Sequence, residues 1–404
     1  MDDDREIFQP ALVRTPLPDP EAVGEDEVLV ERLRAEIRQE GPITFARFME
    51  RALYEPGHGY YRRAEPGPGR SGDFLTAPEA HPIFGAAVGR LIEEAWDPLG
   101  RPSPFVVREH GAGTGALAAG LLAALRDAGS PLFDAIRYRP IEVETARVAA
   151  FRARLGELGL ASRVDDGPTP GDRPETGAVV ANEVLDALPV HRVVGRPAGL
   201  GELFVGLDGE GGFVATEGAP STGALADRLA DEGIELVNGQ VAEVCLGVDE
   251  WLADATAGLD RGVVVLIDYA EEPETLYAPT KPAGTLRAFA RHAVGGDPFR
   301  HVGRQDLTAT VDLAAVRRAA AGARLEPIGE TTQAELLAAA AGDVAASTLR
   351  RPDATLEDAL LLRSALARLL DPRVMGGYRV LVFGRSLPPN VDLPSLKRLR
   401  GPGR

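Results

Sequence analysis

The stretch Val106-Val107-Arg108-Glu109-His110-Gly111-Ala112-Gly113-Thr114-Gly115 decides the fold. An apolar run ends in an acid, three glycines alternate with other residues, and the Ala-rich segment from Ala116 to Leu125 follows with helical spacing. This order predicts a strand, a tight turn and a helix N-terminus, where backbone N–H groups can approach an anionic ligand without side-chain obstruction. Because Ala116 follows Gly115, the same residues also satisfy G-x-G-x-x-G/A, so a nicotinamide dinucleotide has to be weighed, as has a turn that serves only close packing. An acid at the end of the next strand, Glu142 in Ile141-Glu142-Val143, suits a ribose diol, and Glu144 competes with it. A solvated strand-end carboxylate is the plain alternative for either.

Outward from that turn, short apolar strands alternate with helical segments from about residue 104, the signature of a parallel sheet covered on both faces. Five strands are expected: Phe105 to Glu109, Tyr138 to Val143, Arg163 to Asp165, Ala178 to Ala181 and Val263 to Asp268. Between the fourth and fifth, residues 190–217 alternate apolar and polar positions between Gly-rich turns and predict an inserted antiparallel meander. Helical stretches are expected near 224–232, 241–257, 314–322, 334–341 and 355–370, and Tyr378 to Gly384 closes the chain as a strand. Before the sheet, Thr44 is a candidate cap for a helix from Phe45 to Leu53. Residues 1–28, rich in Pro, Asp and Glu, predict a mobile extension.

The chain of 404 residues holds 44% hydrophobic and 26% charged residues, with no apolar run long enough for a membrane helix. A soluble protein without membrane insertion is expected. The net charge of −17 argues against nucleic acid as main partner, because phosphate is bound chiefly through Lys and Arg. The acidic start Met1-Asp2-Asp3-Asp4 lacks the apolar or Arg-rich character of a targeting segment, which makes the cytoplasm the expected location. Cys245, the lone cysteine, reads as a packed thiol. No His spacing or cysteine set suggests a metal, and the zinc-protease, P-loop and hydrolase motifs are missing.

Two further segments could carry chemistry. Asn182-Glu183-Val184-Leu185-Asp186-Ala187-Leu188-Pro189 leaves the fourth strand, and in an open parallel sheet ligands sit beyond the carboxyl ends of the strands. Glu183 and Asp186, three apart, would lie on one side of a turn and could grip a guanidinium bidentately. The bland alternative is Asn182 as a helix cap with two acids at the helix's positive end. The other segment, Arg70-Ser71-Gly72-Asp73-Phe74-Leu75-Thr76-Ala77-Pro78-Glu79, combines a turn, an acid and an aromatic outside the sheet and could fold over a ligand as a lid.

Taken together these segments resemble the MidA-like methyltransferases, the family that includes mitochondrial complex I assembly factor 7. The resemblance rests on Ile43-Thr44-Phe45-Ala46-Arg47-Phe48 with Tyr60-Tyr61, on Gly72 to Glu79, on Asn182-Glu183 with Asp186 to His191, on Gly284-Thr285-Leu286-Arg287, and on Gln305 to Ala309 with Val311-Asp312. His110 stands where an aliphatic is usual in that family, and Thr310 where a His is. The resemblance implies an α/β fold: a class I methyltransferase Rossmann-like sheet with the inserted meander and an additional, mostly helical lobe. It implies S-adenosyl-L-methionine as methyl donor and, for the mitochondrial member, dimethylation of an arginine on a complex I subunit.

The expected organisation is then an extension (1–28), an N-terminal helical segment with the lid (29–100), the donor-binding core (101–275) and a substrate lobe with the final strands (276–404). Gly72, Asp73, Phe74, Glu109, Gly111, Gly113, Gly115, Glu142 and Asn182 are the expected cofactor-binding residues, with Glu183 and Asp186 as catalytic acids that assist loss of the acceptor's proton. An arginine-bearing protein is the expected acceptor, and a homodimer is compatible with the sequence. The rival readings are a small-molecule methyltransferase and an assembly factor that binds the donor without transferring its methyl group.

Overall fold

The computed structural model describes residues 23–63, 75–165, 167, 173–290, 293–295, 297–342, 344, 355–389 and 391–397. Six strands form the main sheet: β1 (Phe105–His110), β2 (Ile136–Ile141), β3 (Glu175–Asn182), β4 (Leu259–Asp268), β5 (Glu326–Thr332) and β6 (Arg379–Arg385). Across the sheet they run in the order β2-β1-β3-β4-β6-β5. The pairs among β2, β1, β3 and β4 are parallel, whereas β6 is antiparallel to both its neighbours.

Val263-Val264-Val265-Leu266-Ile267 shows why this sheet is a buried middle layer. Alternate side chains point to opposite faces, yet all five are almost fully buried. Val263, Val265 and Ile267 join Val107, Ala178 and Val380 under helices Ile83–Trp96 and Ala116–Asp127. Val264 and Leu266 join Val179, Leu381 and Phe383 on the other face, under helices Val248–Ala255 and Leu313–Gly322. At about 1.5–3 kcal/mol for each large apolar side chain buried, these two layers supply most of the driving force for closing the sheet.

The expected meander is present. Strands His191–Arg196, Gly199–Leu207 and Phe213–Gly218 pair antiparallel, with Val241–Val244 on one edge and Ile43–Thr44 beside Gly199–Leu207. Thr44 caps the helix Phe45–Tyr54 as expected, its side chain accepting from the Arg47 N–H. Phe48 of that helix meets Phe213 of the meander and Phe299 edge-on, both at 5.5 Å, so the N-terminal helices are stapled to the insertion. A helix starts at Glu27 behind the cap Asp26, near the expected end of the extension.

Three expectations change. Arg163 to Asp165 makes only a single parallel bridge, Tyr138 to Val164, because the preceding residues turn as a short 3-10 helix and Asp165 is drawn to Arg139. Residues 241–257 divide into the strand Val241–Val244 and the helix Val248–Ala255, since His191–Arg196 offers an open edge to pair with. The stretch after 276 is not helical throughout: Arg287–Ala290 pairs with Ala293–Gly295 and Asp306–Thr308, while helices Leu313–Gly322 and Gln333–Ala340 pack on the main sheet.

Candidate active site

The glycine turn leaves β1 where the ladder with β2 ends, the Gly111 N–H donating to the Ile141 carbonyl at 2.9 Å. Gly111, Gly113 and Gly115 all have positive φ, from +51° to +83°. A Cβ at Gly111 would stand 2.7 Å from Val184, and one at Gly115 would stand 2.7 Å from the Phe151 ring. At Gly113 the nearest neighbour would be 4.0 Å away, which leaves that backbone open to the cavity. Glu142, at the end of β2, accepts from the Gly113 N–H at 2.9 Å and from the Val143 N–H at 2.7 Å. The acid expected to face the ribose thus stands beside the glycine turn, as its place on the adjacent parallel strand requires.

A cavity of about 510 Å³ opens between the turn and the segment after β3. Glu109, Gly111, Gly113, Glu142, Asn182, Glu183 and Asp186 all line it, so most of the residues expected from sequence converge there. Gly115 begins the helix next to it, and Gly72, Asp73 and Phe74 lie outside the described residues. From the expected lid segment, Thr76, Pro78 and Glu79 do reach the cavity. Glu79 accepts from the Thr114 hydroxyl and from Arg154, each at 2.9 Å, and ties the short helix Ala77–Ala80 to the glycine turn.

Glu183 stands at φ +52°, in the left-handed region that non-glycine residues rarely occupy. Its carboxylate accepts from the Ala77 N–H at 3.2 Å and the Asn182 amide at 3.0 Å. Burial, with the Asp186 charge behind it, pushes its pKa up to about 7. Asp186 sits in the 3-10 turn Leu185–Ala187, not on a capped helix, and receives the Tyr269 hydroxyl. Burial lifts it to about 6 against that hydrogen bond. Asn182 Oδ1 and Asp186 Oδ1 are both buried without a hydrogen-bond partner among the described residues. Two acceptors left in this way at a cavity wall favour a ligand rich in N–H donors.

Several contributors escaped the sequence reading. Asp268 Oδ2 accepts from the N–H groups of Val184, Leu185 and Asp186 at 3.0–3.2 Å, and Oδ1 accepts from Tyr269 at 2.9 Å. The signal was available: Asp268-Tyr269 ends β4 on the same carboxyl edge that singled out Asn182. Tyr54 and Tyr61 stack at 5.6 Å on the cavity wall, the Tyr61 hydroxyl donating to Asp306 at 2.9 Å and the Tyr54 hydroxyl to the Ala187 carbonyl at 3.0 Å. His110 lies edge-on to Trp251 at 5.7 Å, and burial drives its pKa down to about 4.

A sheet with four parallel strands, a glycine bend after its first strand and a strand-end acid beside that bend define a nucleotide-binding Rossmann-like enzyme. Residues 87–331 match the model of the Methyltransf_28 family, the S-adenosyl-L-methionine-dependent methyltransferases. The chain belongs to that family. It is 36% identical to a COG1565 superfamily protein from Burkholderia thailandensis, described as a likely methyl transferase and solved with S-adenosyl-homocysteine bound. That match covers 96% of this chain and 98% of the other, with a TM-score of 0.83. It is also 28% identical to the Drosophila melanogaster homologue of the mitochondrial protein arginine methyltransferase NDUFAF7 (86% of this chain, 82% of the relative) and 30% identical to the Mus musculus protein (75% and 72%).

The chain is an S-adenosyl-L-methionine-dependent methyltransferase, and the cavity, with the open backbone at Gly113 and the Glu142 carboxylate beside it, has room for a nucleotide-sized donor. The expected cytoplasmic location is corrected by these relatives, which are named as mitochondrial. It rested on the composition of the first residues, which the shared fold does not constrain. Among the described residues no helix is long and apolar enough to cross a membrane.

Proposed function

We propose that this methyltransferase modifies an arginine side chain of a protein. The observation that carries the reading is the pair Glu183, half-buried, and Asp186, buried, on one cavity wall, where Asp186 Oδ1 has no hydrogen-bond partner among the described residues. Carboxylates match the planar donor fork of a guanidinium, and the names of the fly and mouse relatives support the same acceptor. A subunit of respiratory complex I is the first candidate substrate on the family resemblance.

S-adenosyl-L-methionine supplies a sulfonium methyl group, which passes to a nitrogen while the bonding electron pair stays on sulfur. Gly111, Gly113 and Gly115 shape the bend that receives it, Glu142 and Asn182 offer acceptors, and Glu109 backs the turn from inside the sheet. Gly72, Asp73 and Phe74 belong to the segment that would cover the site. A guanidinium has no free lone pair, so its nitrogen attacks only as a proton leaves, and Glu183 with Asp186 holds the group and takes that proton. Alignment in such a cavity can supply about 7–11 kcal/mol of the barrier reduction.

Incubating the protein with methyl-labelled donor and a lysate of its host tests the reading. Acid hydrolysis of labelled protein bands should release the label as methylated arginine. Label in a small molecule, or in no acceptor at all, would overturn it.

A further inference from the structure

Two consecutive side chains at the carboxyl end of β4 grip the loop that carries the acids. Asp268, about 1% exposed, collects the N–H groups of Val184, Leu185 and Asp186 on one carboxylate oxygen. Consecutive N–H groups converging on one carboxyl oxygen fix the path of the backbone. That path includes Glu183 at φ +52°, a conformation that persists only when its surroundings enforce it. Tyr269 then acts on the side chain: its hydroxyl donates to Asp186 Oδ2, which leaves Oδ1 buried and without a hydrogen-bond partner among the described residues. The Tyr269 ring is itself packed on Tyr378 at 5.5 Å.

We infer that Asp268 and Tyr269 are positioning residues for methyl transfer: Asp268 sets the backbone that presents Glu183 and Asp186, and Tyr269 turns the Asp186 carboxylate so that its second oxygen meets the acceptor. This rests on the reading of those acids as the acceptor site. The charged and titratable groups facing Asp186 are Glu183, Asp268, Tyr269, Tyr54, Tyr61 and Tyr378. Of these, Tyr269 is bonded to it directly, and that bond lowers its pKa against the effect of burial.

The test uses the full chain labelled with ¹³C at aspartate carboxyls, the Asp186 signal being assigned by D186N. In Y269F the Asp186 midpoint should rise by about one pH unit, the size expected for loss of one good hydrogen bond to the charged form. An unchanged midpoint in a folded Y269F protein overturns the role of Tyr269. In D268A the amide hydrogens of residues 184–186 should exchange at least about tenfold faster, and unchanged protection overturns the role of Asp268. Should D268A fail to fold, D268E keeps the carboxyl group one methylene displaced and is measured in the same way. These readouts need no acceptor, so they separate this inference from the arginine reading, which fails instead if E183Q and D186N still transfer methyl groups.

Discussion

The Tyr138 hydroxyl donates to the Glu109 carboxylate at 2.7 Å across the paired strands β1 and β2, with both side chains buried. Burial nevertheless dominates and lifts the Glu109 pKa to about 8, the Tyr138 bond opposing and Glu142 adding. The folded protein therefore keeps a proton that the unfolded chain loses near the ordinary value of 4.5. This contribution to stability is complete below about pH 4.5 and is lost as pH rises toward about 8. Urea unfolding followed from pH 5 to pH 8.5 should show stability falling with pH. E109Q, which stays neutral, should flatten that slope by an amount on the order of a few kcal/mol. Parallel slopes for wild type and variant would show that Glu109 is ionised in the fold.

Glu183 is raised in the same direction, to about 7, and Asp186 to about 6. An acceptor proton can be taken only by the ionised form, so transfer should weaken as pH falls through about 7 to 6. E183Q preserves the shape and removes the base. Its donor affinity by calorimetry should stay within about threefold of wild type, while turnover drops by about 10² or more. Retained turnover would remove Glu183 from the chemistry.

Gly115 and Gly113 should fail differently. G115A places a methyl group against the Phe151 ring at φ +83° and should cost about 1–3 kcal/mol of stability as well as donor binding. G113A meets nothing closer than 4.0 Å within the protein. It should lose only the roughly 1–2 kcal/mol of a left-handed alanine yet bind donor at least about tenfold more weakly, because the new methyl group faces the cavity. Thermal melts with and without S-adenosyl-homocysteine distinguish the two, and a G113A protein with normal ligand-induced stabilisation would place the donor elsewhere.

Glu79 joins three elements, since Thr114 and Arg154 both donate to it while Ala77, two residues earlier, donates to Glu183. E79A should loosen the segment over the glycine turn and weaken donor affinity about tenfold, with little loss of overall stability. Calorimetry checks this; unchanged affinity would make the contact incidental to binding.

What the sequence made legible follows from how local each signal is. The glycine turn, the run Val263 to Ile267 and the acids after Asn182 announce themselves through neighbours in the chain, and all of them occupy their expected places. Glu326–Thr332 was invisible because Pro327 and Gly329 interrupt its pattern, and the ladder shifts register between them. Val241–Val244, too short a run to stand apart from the helix Val248–Ala255 in the sequence, is a strand because His191–Arg196 offers it a partner edge. The roles of Asp268, Tyr269 and Tyr61 depend on residues scores of positions away, and no spacing rule reaches that far. Gly72, Asp73 and Phe74 lie outside the described residues, so their part remains a proposal.

The strand Arg379–Arg385, nearly last in the chain, lies in the interior of the main sheet, between Leu259–Asp268 and Glu326–Thr332. During synthesis the growing polypeptide must therefore carry an unfilled slot, with open backbone edges on both sides, until residues 379–385 have been made. A ribosome stalled before residue 379 would hold a chain that already contains every proposed donor- and acceptor-binding group yet cannot close around them. Termination before residue 379 should thus yield aggregates instead of a shortened enzyme.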